Sequence, residues 1–209
     1  MKSNVEKIYN DLFERYPTLS CVKEEVEAVF EIIKETYIKK GKLLVCGNGG
    51  SASDSTHIVG ELMKGFMLSR QLPESEKARF QNKEIADGLQ GALPAISLVD
   101  EAALMTAFCN DCNPDLVFAQ QVYAYAAKND VLVAFSTSGN SENVVFAVEA
   151  AKASGIISIG ITGAKESRLS ELCEICILLP ETETYKIQEL TLPVYHCLAA
   201  MLEDEFFEI

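Results

Sequence analysis

The sequence predicts an α/β protein, a doubly wound and mainly parallel five-stranded sheet flanked by helices and preceded by N-terminal helices. Short apolar runs alternate with segments of helical periodicity, which is the order of a parallel sheet with crossover helices. The runs are apolar throughout rather than at every second residue, as suits strands covered on both faces. Two of the runs end in turns rich in Gly and Ser.

Residues 4 to 15 and 21 to 40 carry apolar residues at helical spacing, with Pro17 in the break between them, so a helical segment over 1–40 precedes the first strand. The strands are expected at Leu43-Leu44-Val45-Cys46, at residues 94 to 99, 131 to 135 and 156 to 161, and at 175 to 179. Helical patterns fall at about 52–66, 101–110, 114–127, 141–153 and 166–172, and a last one runs from 184 to 207. Residues 67–90 are polar and weakly helical, an insertion between the first two strands that reads as a surface helix or lid. Length favours a single domain over 1–209.

A formal net charge of −13 argues against a nucleic-acid or anionic-membrane partner, because both are bound through clustered Lys and Arg. No apolar run reaches the roughly 20 residues of a membrane span, and the N-terminus reads as a polar amphipathic helix rather than a signal peptide. Seven cysteines, an odd number in a chain too long to depend on disulfides, point to reduced thiols and a cytoplasmic location.

In an open parallel sheet, ligands bind beyond the carboxyl ends of the strands, where helix N-termini offer free amide groups to anions. Asn48-Gly49-Gly50-Ser51 follows the first strand directly, with glycines that permit close backbone approach and Ser51 as an expected N-cap. Ser136-Thr137-Ser138-Gly139-Asn140-Ser141 follows the strand at 131–135 and offers four hydroxyls around Gly139. Either turn alone is equally well read as ordinary turn chemistry; two in equivalent positions favour a phosphate seat. Gly47 to Ala52 also satisfies G-x-G-x-x-A, but the first acid closing a strand is Asp100, far beyond the spacing that dinucleotide binding expects.

The two histidines each lie on an expected helix. His57 and Glu61 are four apart and therefore neighbours on one face, on the helix that starts at the first turn. Gln188 and His196 are eight apart, about 80° around and roughly 12 Å along an ideal helix, which leaves a polar contact and a functional pair equally open. Two C-x-x-C pairs, Cys109 with Cys112 and Cys173 with Cys176, could suggest structural zinc. The second pair straddles a strand start, where residues three apart point to opposite faces, so small buried residues are the preferred reading.

CGNGGSASDSTHIVGELMKGF (Cys46 to Phe66) together with STSGNSENVVFAVEAAKASG (Ser136 to Gly155) resembles the sugar isomerase, or SIS, family, specifically the bacterial phosphoheptose isomerases. The likeness extends through PAISL, Asn110-Asp111, Thr162-Gly163 and the Gln188-Glu189-Leu190 run with His196. The resemblance implies that Asn48, Gly49, Gly50, Ser51, Ser136, Thr137, Ser138 and Ser141 contact a sugar phosphate, with Asn110, Asp111 and Gln188 nearby. It implies that His57, Glu61, Gln188 and His196 form a metal site, usually zinc, and that the protein is a homotetramer with pockets at subunit interfaces. The implied reaction is aldose-ketose isomerisation of sedoheptulose 7-phosphate or a similar ketose phosphate through an enediol.

Glu61 is the candidate base, a role that partial burial would favour, and His196 the matching acid. A carboxylate that binds metal is a weaker base, so the two roles of Glu61 compete. Alternatives are isomerisation of a hexose or pentose phosphate, and a non-catalytic sugar-phosphate-binding module, which would have no use for Glu61 and His196. The long insertion over 67–90 and Pro193, expected to kink the last helix, depart from the family pattern.

Overall fold

The computed structural model describes residues 1–207. Five parallel strands, β1 (Leu43–Cys46), β2 (Ala95–Ser97), β3 (Val131–Phe135), β4 (Ile157–Gly163) and β5 (Ile175–Leu179), form one sheet in the order β2-β1-β3-β4-β5. The chain winds outward from β1 to one edge and returns through β3 to the other, so the strand order reverses between β1 and β3. A crevice opens at such a reversal beyond the carboxyl ends.

Alternation along the strands divides the core. Leu43, Val45, Val131, Val133 and Phe135 pack on one face, against α1 (Ser3–Arg15), α2 (Lys23–Ile38), α3 (Gly50–Met63) and α10 (Thr184–Phe207). Leu44, Cys46, Leu132 and Ala134 pack on the other, with α7 (Val117–Tyr125), α8 (Glu142–Ala153) and α9 (Arg168–Leu172). Both faces are thus covered, and the continuous apolar runs follow from it.

A 3-10 helix over Pro17–Val22 fills the break at Pro17 and delivers the chain to α2. The insertion folds into two short helices, α4 (Glu74–Lys77) and α5 (Lys83–Gly88), closed at its base by an antiparallel bridge between Gln71 and Gln90. Next comes α6 (Ala102–Asp111), which buries none of its residues. The last helix runs unbroken from Thr184 to Phe207 through Pro193, so the expected kink does not interrupt it.

Two local expectations are corrected. Ser51 is not the N-cap of α3: the helix begins at Gly50, and Gly49 caps it with φ 58°, a left-handed conformation that glycine adopts without strain. The thiols of Cys173 and Cys176 do not diverge. Cys173 ends α9 rather than lying in the strand, and a Cβ added to Gly160 would stand 3.2 Å from its sulfur and 2.8 Å from that of Cys176. The missing side chain of Gly160 is the space both occupy, and all seven cysteines are free thiols.

Candidate active site

Both turns lie at the carboxyl ends of neighbouring strands, β1 and β3. They are tied together by a reciprocal amide pair: Asn48 Nδ2 donates to Asn143 Oδ1 at 2.8 Å, and Asn143 Nδ2 donates to Asn48 Oδ1 at 2.9 Å. The Asn48 side chain therefore holds the first turn against α8, the helix that follows the second. Asn143 was not singled out in the sequence, because its role depends on a partner 95 residues away.

Within the second turn the hydroxyls of Ser136 and Ser141 are 3.1 Å apart, while the Asn140 backbone amide donates to Ser138 Oγ at 3.2 Å. The Asn140 side chain donates to Ser138 O and accepts from the amide of Arg168, which leads α9 against the turn. Thr137 contributes its carbonyl to the amide of Gly163. Ser136 is buried and Ser138 exposed, so the turn is anchored at one end and open at the other.

The helices α3 and α10 run side by side in the same direction, and their register sorts the remaining residues. At the start of α3, a Cβ on Gly50 would lie 2.4 Å from Gln188 Nε2, so the Gln188 amide rests on the first turn. Two turns further on, His57 meets Tyr195 and His196. The imidazoles stand edge to face with centroids 4.9 Å apart and Nε2 atoms 3.5 Å apart, and Glu61 Oε1 lies 3.3 Å from His57 Nε2. Past the end of α3, the Phe66 ring lies 5.4 Å from that of His196.

The structure thus gathers His57, Glu61 and His196 at one point and places Gln188 against the first turn. Asn110 and Asp111 lie on the exposed helix α6, where Asn110 Nδ2 donates to Asp111 Oδ1 at 2.8 Å; no hydrogen bond joins them to either turn among the described residues.

Sequence reasoning also missed Asp54 and Tyr195. The Tyr195 hydroxyl lies 2.9 Å from His57 Nδ1 and donates to Asp54 Oδ1 at 3.2 Å. Burial raises the pKa of Asp54, against the opposing pull of the Tyr195 hydrogen bond and of His57. Burial, and secondarily His57, lowers that of His196, while Glu61 acts the other way. The spacing of Asp54 and His57, three apart on one helix face, was the available signal for Asp54. Nothing in the sequence marks Tyr195, whose partners come from another helix.

The donor set can be compared with zinc. Bonds of about 2.0–2.2 Å to imidazole nitrogen and carboxylate oxygen in a tetrahedral site separate the ligand atoms by roughly 3.3–3.5 Å. The two separations meeting at His57 Nε2, 3.3 and 3.5 Å, match this pairwise. As placed, however, no three His, Cys, Asp or Glu side chains among the described residues form a group that would hold a metal. His57 with either neighbour suits zinc in distance and donor type; a complete three-ligand grouping needs a further adjustment of the side chains.

A strand-order reversal flanked by a serine-rich turn, with a carboxylate and two imidazoles on the adjoining helices, is the layout of a SIS-type protein. A SIS domain model matches residues 89–163. Over 208 residues the chain is 36% identical to a phosphoheptose isomerase of Nitratiruptor sp., covering 97% of this chain and 100% of that one. It is 40% identical over 164 residues to a phosphoheptose isomerase of Rhodospirillum rubrum, with 78% and 77% of the two chains covered. Among solved structures, a phosphoheptose isomerase from Francisella tularensis superposes with a TM-score of 0.77 at 27% identity, over 97% of this chain and 99% of that one. The chain belongs to the phosphoheptose isomerase family.

Proposed function

We propose that this chain, an aldose-ketose isomerase by family, interconverts sedoheptulose 7-phosphate and a heptose 7-phosphate through an enediol. The observation that carries this reading is the convergence of Glu61 and His196 on His57, two helical turns beyond a phosphate seat formed by two serine- and glycine-rich turns. The hydroxyls of Ser136, Thr137, Ser138 and Ser141 and the backbone amides at Gly49 to Ser51 take the phosphate, and Gln188 borders the same end. The sugar extends along α3 and α10 so that C1 and C2 reach Glu61. Glu61, its side chain 15% exposed, moves the proton between them, and His196 manages the proton on the sugar oxygen. Zinc held by His57, Glu61 and His196, with Gln188 as a further ligand if its side chain swings inward, would polarise the sugar carbonyl.

Two further parts of the reading have their own support. A homotetramer is favoured by α6, none of whose residues is fully buried and whose Met105 and Phe108 pack only partly against the core of their own chain. A cytoplasmic location is favoured by seven free thiols; no helix among the described residues is long and apolar enough to cross a membrane.

The test is a panel of ketose phosphates offered to the purified protein and to Glu61→Gln, with and without chelator. Turnover is expected with sedoheptulose 7-phosphate and a fall of about 10²- to 10⁴-fold in kcat for Glu61→Gln, the range of a lost general base. Full activity in the variant removes Glu61 as the base, and no turnover on any sugar leaves a binding module.

A further inference from the structure

The chain Asp54, Tyr195, His57 has a direction that can be read from its chemistry. The Tyr195 hydroxyl carries one hydrogen and stands within bonding distance of two groups, Asp54 Oδ1 at 3.2 Å and His57 Nδ1 at 2.9 Å. An ionised carboxylate only accepts, so the phenolic hydrogen goes to Asp54. The phenolic oxygen is then an acceptor, and His57 Nδ1 must supply the hydrogen for the shorter bond. A neutral imidazole with its hydrogen on Nδ1 has a bare lone pair on Nε2. That atom is the one facing Glu61 Oε1 and His196 Nε2.

We propose that Tyr195, oriented by Asp54, is a positioning residue that fixes His57 as the Nδ1–H tautomer and turns its Nε2 lone pair into the active site. The consequence is electrostatic. A lone pair held 3.3 Å from a carboxylate oxygen repels it, and a metal ion between the two would relieve that repulsion. The arrangement therefore builds cation affinity into this point. A hydrogen-bonded partner on the far nitrogen of a ligating histidine supplies this in metal sites generally.

Packing alone does not account for Tyr195. Its ring is 1% exposed, edge-on to Phe135 and to both imidazoles, and a phenylalanine would fill the same space. The hydroxyl adds only the link between a partly buried carboxylate and an imidazole whose side chain is 44% exposed. The inference depends on the zinc reading for its effect on metal affinity, and not for the tautomer.

The chain has only two histidines, which makes the tautomer directly measurable from imidazole ¹⁵N shifts in the metal-free protein, with His196→Asn to assign the signals. The wild type is expected to show His57 in the Nδ1–H form. Tyr195→Phe is expected to release it to a mixture of tautomers and to weaken zinc binding, measured by competition with a chelator, about 10- to 100-fold. Substrate KM should change little, because the phosphate turns are untouched. Asp54→Asn, which leaves the phenol in place, should disturb the tautomer as well. An Nε2–H tautomer in the wild type, or an unchanged tautomer in Tyr195→Phe, would overturn the inference. A wild type that binds no zinc would sink the zinc reading, and the ¹⁵N result would still decide the role of Tyr195.

Discussion

Gly139 shows how tightly the second turn is drawn. Its φ is +64°, and an added Cβ would fall 2.0 Å from Ser167 Oγ and 2.9 Å from Thr162 Oγ1. Gly139→Ala must therefore shift the turn against α9 while adding about 1–2 kcal/mol of left-handed strain. The expected outcome is a KM for the sugar phosphate raised at least about tenfold, since 1.4 kcal/mol is a factor of ten, with kcat less affected. Gly60 is the contrasting case: it lies within α3 with nothing inside 4 Å of an added Cβ. Gly60→Ala should raise stability by up to about 1 kcal/mol in urea denaturation. The sequence placed Gly139 in the second turn and singled out nothing at Gly60. What separates them is the neighbour each would meet, and Ser167 reaches Gly139 only through the fold. For the same reason His57 and Glu61, four apart on one helix, were legible as a pair, whereas Tyr195 and Asn143 became visible only with their partners in place.

Helix α3 carries His57 and Glu61 and ends without a glycine cap; the closing device comes from the far end of the chain. Glu203, on α10, accepts from the backbone amides of Phe66, Met67 and Leu68 at 2.7, 2.7 and 3.0 Å and from Arg70 Nε at 2.7 Å. Arg70 in turn donates to the carbonyls of Leu62 and Glu61, the last turn of α3, at 2.7 and 3.0 Å. Side chains of both partners are essentially buried, at 0% and 1% exposed, and Arg70 adopts φ 41° to reach this geometry. Replacing one member strands the other charge, so Glu203→Gln should cost about 3–5 kcal/mol. The exposed pair of Lys186 with Glu183 is the control, where Lys186→Ala should cost under about 1 kcal/mol. Equal losses in the two variants on denaturant unfolding would remove the buried pair from the account. At this scale the strands were the most legible elements, because runs such as Val131 to Phe135 are apolar on both faces. The start of α3 was misplaced by two residues, because Ser51 is a good cap by composition while Gly49 takes the position by its positive φ. Arg70 and Glu203 gave no signal, since a charge in an insertion and a charge near the end of an amphipathic helix both read as solvent-facing.

Across the whole molecule, the order β2-β1-β3-β4-β5 puts both serine- and glycine-rich turns at one reversal point, and the parallel course of α3 and α10 carries Glu61, His57 and His196 away from it. In the proposed function, binding and chemistry are therefore separable. Removing metal with a chelator should lower kcat while leaving inorganic phosphate as a competitive inhibitor of unchanged strength, because the proposed phosphate seat is the two turns and not His57. The alternating pattern of strands and helices made this architecture legible from the sequence alone. The depth of the division was not legible, because it depends on Gln188 resting on Gly50 while His196, on the same helix, meets His57. The central claim is that Glu61 moves a proton between two sugar carbons through an enediol. It is tested most directly by running the conversion of sedoheptulose 7-phosphate in deuterium oxide and following the product by proton magnetic resonance. Deuterium at C2 of the aldose product, formed by the wild type and nearly lost with turnover in Glu61→Gln, is the predicted result. Product and label that form in Glu61→Gln at the wild-type rate would contradict the account.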